Sequence, residues 1–368
     1  MQVVYNSFNG RYSDSPRAVH EALLAGSADP EHVWLVDPEH RRTFPDDVST
    51  VPIYTPEAVA ALESADLVVS NSHLEMDWNK REGATYLQTW HGTPLKRIHA
   101  DALGSPPGLL EHLSRDVDRW DLLLSANRYS TTTMRSAFRW DGEVVETGYP
   151  RNDVLLSPAA DVVRCRLRRE LGIDDGRTAV LYTPTWRDDA FWQGGAGAAA
   201  LALDVDQVTR ELGEDHVLLL RVHYKLTGML PGLESPAVID VSAYPEVADL
   251  YLAADLMVTD YSSTMFDFAV TGKPLLFYTY DLERYRDELR GFYFDLAATA
   301  PGPLVSTTEE LVSCLHDLAS VSGAYQERYA RFQRTFCRLE DGRSTERLLQ
   351  RLLAQPGLAQ LGLEPARA

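Results

Sequence analysis

The stretch Asp255-Leu256-Met257-Val258-Thr259-Asp260-Tyr261-Ser262-Ser263-Thr264 contains the pattern on which the fold prediction rests. Its first half is apolar and typical of a strand buried on both faces, and its second half has the hydroxyl side chains that cap helices. A helix is predicted to follow over residues 265–271, and Gly272 is placed to end it. A buried strand, a polar turn and a helix in this order indicate a βαβ unit and therefore a parallel sheet.

Short apolar runs of the same kind occur on both sides of this stretch, separated by longer amphipathic segments. The runs cover residues 32–36, 66–70, 85–89, 121–125 and 144–147, and then 178–184, 216–222, 237–241, 255–259 and 274–278. Turn residues at 148–153 and a charged helix to about Gly172 interrupt this rhythm. The pattern predicts an α/β protein with two Rossmann-like, doubly wound domains facing a central cleft. We expect an N-terminal domain over 1–157, a C-terminal domain over 158–335, and a helical segment over 336–368 that packs back on the N-terminal domain.

Composition limits the classes of function. The 368 residues include 35 Lys and Arg against 54 Asp and Glu, so the formal net charge of -19 would repel nucleic acid over most of the surface. Three cysteines are too few for a disulfide framework or a tetrahedral zinc site, which fits a reducing compartment. The N-terminus lacks the pattern of a signal peptide, and no run approaches about 20 apolar residues. The protein is expected to be neither secreted by that route nor membrane-spanning.

A histidine follows the predicted strand at 85–89, within Gln88-Thr89-Trp90-His91-Gly92-Thr93-Pro94-Leu95-Lys96. At the carboxyl end of a strand, His91 is placed where a general base could meet an acceptor hydroxyl. Gly92 allows the backbone to approach a partner closely, and Lys96 adds a cation. A histidine that is merely hydrogen-bonded within a loop is the structural alternative.

Polar residues also follow three strands of the second half. Arg221 and His223 end one strand, and cations there suit a phosphate or pyrophosphate. Ser262 and Ser263 precede the predicted helix, whose N-terminus could hold a phosphate, although ordinary capping would explain them equally. A fourth group, within Tyr182-Thr183-Pro184-Thr185-Trp186-Arg187, offers hydroxyls and a guanidinium. Its alternative is a structural salt bridge from Arg187 to Asp188 or Asp189. Polar groups at the ends of four strands are what a catalytic cleft between domains requires.

Taken together, these segments resemble the CDP-glycerol glycerophosphotransferase family, the teichoic acid primases and polymerases. The motifs that carry the resemblance appear in the family's order: Phe8-Asn9-Gly10-Arg11-Tyr12-Ser13-Asp14-Ser15-Pro16-Arg17, Tyr86 to Lys96, Gly148-Tyr149-Pro150-Arg151-Asn152-Asp153, Tyr182 to Arg187, Arg221-Val222-His223, Thr259 to Ser263, Phe266-Asp267 and Asp341-Gly342-Arg343-Ser344-Thr345-Glu346-Arg347. The resemblance covers nearly the whole chain.

The resemblance implies a GT-B-type fold and a reaction in which an acceptor hydroxyl attacks the β-phosphorus of a CDP-polyol and releases CMP. Glycerol phosphate is the expected unit and ribitol phosphate the next candidate. The acceptor would be a lipid-linked polyol phosphate or glycan of a teichoic acid or capsule, at the inner face of the cell membrane. No cofactor is expected, and no carboxylate cluster with metal-ligand spacing was found in the sequence.

The resemblance also assigns roles to residues. His91 and His223 would be catalytic, with His91 as the general base. The other implied roles are donor phosphate binding by Thr183, Arg187, Arg221, Ser262 and Ser263, ribose or nucleotide binding by Asp260 and Asp267, and acceptor contacts by Gln88, Trp90, Gly92, Thr93 and Lys96. Two alternatives stay open from the sequence: a GT-B glycosyltransferase that uses a nucleotide sugar, and a non-catalytic subunit of a wall-polymer assembly.

Overall fold

The computed structural model describes residues 1–27, 30–103, 108–185, 201–222 and 235–359. Within these ranges the chain forms two β-sheets in which every pairing between strands is parallel. Helices connect the strands, because parallel neighbours need a crossover connection. The predicted α/β class is confirmed.

The first sheet has seven strands, in the order β3-β2-β1-β4-β5-β6-β7. They are β1 (Gln2–Asn6), β2 (Glu31–Val36), β3 (Thr50–Pro52), β4 (Leu67–Ser70), β5 (Thr85–Gln88), β6 (Leu122–Ser125) and β7 (Glu143–Glu146). The helices of this half are α1 (Asp14–Leu24), α2 (Pro56–Ser64), α3 (Leu109–Val117) and α4 (Arg128–Phe138), with 3-10 helices at Pro38–Thr43 and His99–Asp101. A 3-10 helix at Pro150–Leu156 and helix α5 (Ala160–Glu170) lead to the second half.

The second sheet has six strands, in the order β10-β9-β8-β11-β12-β13. They are β8 (Thr178–Thr183), β9 (His216–Leu220), β10 (Val238–Asp240), β11 (Leu256–Thr259), β12 (Leu275–Tyr278) and β13 (Leu304–Val305). The helices are α6 (Val205–Leu212), α7 (Val247–Ala253), α8 (Thr264–Ala269), α9 (Leu282–Arg284) with a π-helical turn at Tyr285–Leu289, α10 (Leu296–Thr299), α11 (Thr308–His316), α12 (Leu318–Phe336) and α13 (Ser344–Leu353). Both sheets thus share the doubly wound strand order of dinucleotide-binding folds.

Each sheet is buried on both faces, which explains the uninterrupted apolar runs in the sequence. In β1, Val3 and Tyr5 pack into one hydrophobic cluster and Val4 packs into the cluster on the opposite face. Strand side chains alternate between faces, so a strand covered on both sides must be apolar at successive positions. The sequence pattern was therefore informative for the central strands.

The C-terminal segment contacts both halves. Phe332 and Phe336 of α12 pack into a core of the second half. Leu348 and Leu352 of α13 are fully buried in the same cluster as Val3 of the first sheet. The chain thus returns to the first sheet after completing the second.

The structure differs from the sequence prediction at the sheet margins and at one helix. Strands β1, β3 and β13 are absent from the prediction, and the latter two have only three and two residues. Helix α8 covers Thr264–Ala269 rather than residues 265–271. No helix among the described residues is long and apolar enough to span a bilayer.

Replacing Leu348 by Ala is expected to lower the free energy of unfolding by about 2–5 kcal/mol, because it leaves a cavity where α13 packs on the first sheet. Urea unfolding followed by circular dichroism measures this loss. Gln350→Ala, on the exposed side of the same helix, is the control and should change stability by less than about 0.5 kcal/mol. Equal stability of the two variants would show that α13 adds nothing to the first core.

Candidate active site

A cleft of about 400 Å³ opens between the two sheets. Its lining residues follow the carboxyl ends of strands, where open α/β sheets bind ligands near the point at which the strand order reverses. That reversal lies between β1 and β4 in the first sheet and between β8 and β11 in the second. Arg11, Asp14 and His91 line the cleft from the first half, and Arg221 and Ser263 line it from the second.

His91 follows strand β5 and is half-buried in the cleft wall. Its Nδ1 lies 2.6 Å from the backbone carbonyl oxygen of Asn71. A carbonyl oxygen only accepts hydrogen bonds, so Nδ1 must carry the proton and Nε2 presents a lone pair. Burial lowers the pKa of His91, and the hydrogen bond to Asn71 opposes this without reversing it. A neutral imidazole in one tautomer is the form that a general base requires.

Asn71, just after strand β4, is a supporting residue that the sequence analysis missed. Its side-chain Oδ1 accepts a hydrogen bond from the backbone N–H of Phe8 at 2.8 Å, and its Nδ2 donates to Ser7 Oγ at 3.1 Å. The ring of Phe8 in turn contacts the His91 ring, with centroids 5.4 Å apart. The side-chain amide of Asn71 thus holds the loop after β1, while the backbone carbonyl of the same buried residue holds the histidine.

Gly92 brings the first half into close contact with the second. A Cβ atom at this position would lie 2.6 Å from Ser263 Oγ and 2.8 Å from Ser263 Cβ. Real Cβ atoms do not come so close to other heavy atoms, so only glycine lets the loop after β5 pack against the turn before α8 at this distance. His91 and Ser263, which were predicted from separate motifs, consequently border one cleft.

A buried ion triad of Asp14, Arg151 and Asp267 joins the two halves where they meet, along a boundary that we call the seam. Arg151, on the 3-10 helix after β7, donates from Nη1 to both carboxylate oxygens of Asp14 at 3.2 Å. From Nη2 it donates to both oxygens of Asp267 at 3.1 and 3.0 Å. Burial acts to lower the pKa of Arg151, but the two carboxylates outweigh it and the pKa is raised. Burial raises the pKa of Asp267, against the effect of Arg151.

Glu246 adds a second link at the same seam. Its carboxylate caps helix α7 and also accepts a hydrogen bond from the backbone N–H of Asp14 at 3.0 Å. Burial is the main reason that the pKa of Glu246 is raised to about 7. Arg17, 3.9 Å away, acts in the opposite direction. The residue lines the cleft, and the sequence analysis did not identify it.

Several predicted site residues support the loops rather than line the cleft. Gln88 is fully buried, donating to the Ser72 carbonyl and accepting from the backbone N–H of Trp90. Thr93 is buried and bonded to Asn127 and Ser130. Trp90 stacks on His91, with centroids 4.2 Å apart. Lys96 forms an antiparallel backbone bridge with Phe292. Their predicted role as acceptor contacts stays a prediction.

On the second sheet, Thr183 and Asp260 join the ends of two neighbouring strands. Thr183 Oγ1 is 3.1 Å from Thr259 Oγ1, and the Asp260 carboxylate accepts from the backbone N–H and hydroxyl of Thr185. Ser262 Oγ accepts a long, 3.4 Å hydrogen bond from the backbone N–H of Thr264. These contacts position the turn before α8, and the predicted phosphate and ribose contacts of these residues stay predictions.

Arg221 lines the cleft and is anchored by donating to the Tyr244 carbonyl at 2.6 Å. Burial lowers the pKa of Arg221. The predicted residues His223 and Arg187 lie outside the described residues. Within the described ranges, no group of three or more His, Cys, Asp or Glu side chains could hold a metal ion.

Comparison with known proteins gives matches along nearly the whole chain. The family model of CDP-glycerol:poly(glycerophosphate) glycerophosphotransferase matches residues 1–354. A teichoic acid glycerol-phosphate transferase of Staphylococcus aureus is 37% identical over 359 residues, covering 95% of this chain and 92% of that protein. A teichoic acid poly(glycerol phosphate) polymerase of Staphylococcus epidermidis is 38% identical over 355 residues, covering 94% of this chain and 49% of the polymerase. The chain spans about half the length of that polymerase.

Solved structures of the wall teichoic acid polymerase TagF also match. One superimposes with a TM-score of 0.86 at 36% identity, covering 94% of this chain and 87% of the TagF chain. A histidine-to-asparagine variant of TagF soaked with CDPG matches equally well. This similarity confirms the predicted GT-B-type fold.

Replacing Gly92 by Ala is expected to destabilise the protein by about 1–3 kcal/mol, because the new methyl group must displace Ser263 or separate the two walls. Thermal and urea unfolding measure the loss. Gly176→Ala is the matched control, since a Cβ there meets nothing within 4 Å. If Gly92→Ala were as stable as this control, the close packing of the two walls would be contradicted.

Replacing Arg151 by Met should cost about 3–5 kcal/mol at pH 8, because it leaves the carboxylates of Asp14 and Asp267 buried without a cation. A buried, unpaired carboxylate has a raised pKa in the folded state, so the stability of this variant should rise as the pH falls and the groups become protonated. Urea unfolding at pH 8 and pH 5.5 measures both effects. A deficit relative to the parent protein that is the same at both pH values would contradict the ion triad.

Proposed function

Because this chain belongs to the CDP-glycerol:poly(glycerophosphate) glycerophosphotransferase family, we propose that it transfers a polyol phosphate from a CDP-polyol to an acceptor hydroxyl. Glycerol phosphate is the proposed unit, and a teichoic acid chain is the proposed acceptor. The proposal is supported by the Staphylococcus aureus transferase, which has nearly the same length, and by the TagF variant soaked with CDPG.

The observation that carries the proposal is the state of His91. Its proton is on Nδ1, its pKa is lowered, and Ser263 and Arg221 of the other half border the same cleft. Phosphoryl transfer depends mainly on aligning the two substrates and neutralising charge as it develops. A base on one wall and phosphate-binding groups on the other suit a reaction in which each domain holds one substrate.

In the proposed step, the acceptor oxygen forms a bond to the β-phosphorus of the donor while the bond from that phosphorus to the bridging oxygen of CMP breaks. The hydroxyl proton moves to Nε2 of His91, and CMP leaves with the electron pair of the broken bond. Asn71 stabilises the imidazolium that forms, because its carbonyl accepts the Nδ1–H bond more strongly when the ring is charged.

Charge on the donor phosphates is proposed to be neutralised from the second half. Arg221 contributes a fixed guanidinium, and Ser263 contributes a hydroxyl that lines the cleft. His223 and Arg187 remain the predicted partners. Asp267 is proposed to act through Arg151, because both of its carboxylate oxygens already accept hydrogen bonds in the triad.

We also propose that the enzyme works at the inner face of the cell membrane on a lipid-linked acceptor. The resemblance implies a reaction at that face, where a lipid-linked acceptor and a CDP-polyol donor would meet. Fractionation of cells that express the intact protein tests this: recovery away from the membrane fraction, with full activity on soluble acceptors alone, would contradict it.

Purified protein is expected to release CMP from CDP-glycerol only when a teichoic acid acceptor is present. His91→Ala should lower turnover about 10²-fold or more, while its affinity for CDP-glycerol should stay nearly unchanged. Calorimetric titration and a CMP-release assay measure the two effects. His112→Ala, at an exposed histidine of α3, is the control and should keep full activity. Unchanged turnover in His91→Ala would remove His91 from the mechanism, and preference for a UDP-sugar would replace the proposed function by glycosyl transfer.

A further inference from the structure

The loop after strand β1 is held in a strained conformation at the edge of the cleft. Phe8, Asn9 and Gly10 have φ angles of 44, 58 and 107 degrees. Non-glycine residues rarely adopt positive φ, and such a strained conformation persists only where its surroundings impose it. Hydrogen bonds from the backbone N–H of Phe8 to Asn71 and from Ser72 Oγ to Asn9 Oδ1 impose it here. Strain of this kind is characteristic of functional loops. Arg11, which lines the cleft, directly follows this strained loop.

Close backbone packing joins this loop to the segment after strand β2. Gly10 lies against the backbone of Asp37, with which a Cβ atom at Gly10 would collide, and its carbonyl accepts from Asp37 N–H at 3.0 Å. Asp37 caps the 3-10 helix Pro38–Thr43 by accepting from the backbone N–H of Glu39. His40 of this helix lines the cleft together with Arg11. The two side chains therefore share one wall.

Arg11 on this wall and Arg221 on the other half bring two guanidinium groups to one cleft, in a chain whose net charge is -19. Carboxylates line the same cleft: Asp37 lies on the wall of Arg11, Asp14 and Asp267 are paired with Arg151, and Glu246 lies near Arg17. Burial and then Arg11 lower the pKa of His40, while Asp37 and Glu39 act in the opposite direction. Burial is the main reason that the pKa of Arg221 is lowered. Arg11 adds to this effect, while Tyr251 and Glu246 oppose it. Guanidinium groups that line one cleft from both halves can hold an anion between them.

We propose that Arg11 and His40 bind the terminal phosphate of the acceptor chain, one polyol unit away from the hydroxyl that is activated by His91. This subsite rests on the proposed function, and it assigns the acceptor to the wall of the first half. Phe8 connects the two places, since its ring contacts His91 and its strained loop leads directly to Arg11. The donor phosphates remain with Ser263 and Arg221.

Such a subsite explains how an acidic protein recognises an acidic polymer. The acceptor's own phosphate would strengthen binding and take no part in the chemistry at the hydroxyl. Recognition of the phosphate one unit back also aligns the terminal hydroxyl with Nε2 of His91, as phosphate clamps do in other group-transfer enzymes.

The test uses the full chain with CDP-glycerol and two soluble acceptors that end in the same glycerol. The charged acceptor carries the phosphodiester, and the uncharged acceptor carries a methylphosphonate diester in its place. Arg11→Gln and His40→Gln should raise KM for the charged acceptor about 10- to 100-fold. The KM for CDP-glycerol, the kcat, and the kinetics with the uncharged acceptor should change less than threefold. Arg42→Gln, on the same 3-10 helix but outside the cleft lining, should match the parent protein.

Equal losses on both acceptors, a raised KM for CDP-glycerol, or an unchanged KM for the charged acceptor would each overturn the subsite.

Titration of glycerol 3-phosphate into the CMP-bound protein, followed by NMR, tests the same site without turnover. The parent protein should bind glycerol 3-phosphate, and Arg11→Gln should bind it at least tenfold more weakly. If the parent protein released no CMP from any CDP-polyol, the proposed function would fail, and loss of glycerol 3-phosphate binding in Arg11→Gln would still support the anion site. Sedimentation with anionic vesicles should be the same for parent and Arg11→Gln, and weaker vesicle binding by the variant would assign the site to lipid headgroups instead.

Discussion

The ion triad of Asp14, Arg151 and Asp267 is the interaction on which the geometry of the cleft depends. It joins the start of helix α1, the connection between the sheets and helix α8, and all three side chains are almost fully buried. Buried ion pairs add little net stability relative to well-packed apolar residues, because desolvation offsets much of the attraction. They are costly to break, however, and a guanidinium that donates to two carboxylates fixes both distance and direction. Its effect is thus to select one arrangement of the two halves.

The other contacts of the cleft require that arrangement. Gly92 can pack against Ser263, and Glu246 can accept from the N–H of Asp14, only while α8 and α7 stay beside the first sheet. His91 depends on Asn71 within its own half, so its tautomer is set independently of the seam. The base is therefore prepared by one domain, and the seam determines only which groups it faces. This division fits a transferase whose two substrates bind to different domains.

The sequence predicted the central strands and the placement of His91 well, because both follow from local patterns. Ten apolar runs correspond to strands, and the histidine follows β5 as expected. Strand β13 was missed because it has only two residues, and β3 because it is partly exposed and ends in Pro52, so that it lacks a buried apolar run. Strand β1 was missed because its run lies at the terminus. Asn71 and Glu246 carry no local signal, since their partners lie 63 and 232 residues away. The pairing of Asp267 with Arg151, 116 residues away, cannot be read from its neighbours either, and its predicted ribose contact stays a prediction.

The C-terminal motif 341–347 shows why a segment far from the cleft can still be tied to its function. Asp153, two residues after Arg151, accepts from the backbone N–H groups of Ser344 and Thr345 at 2.9 and 2.8 Å, where the unpaired amides of α13 favour a carboxylate. Arg347 donates to the carbonyl of Thr147 from the same helix. The connection between the sheets is therefore clamped on both sides of Arg151 by a helix that is itself packed on the first core. Since Arg151 can pair with two carboxylates only if its backbone is fixed, the return of the chain to the first sheet is part of what positions the seam.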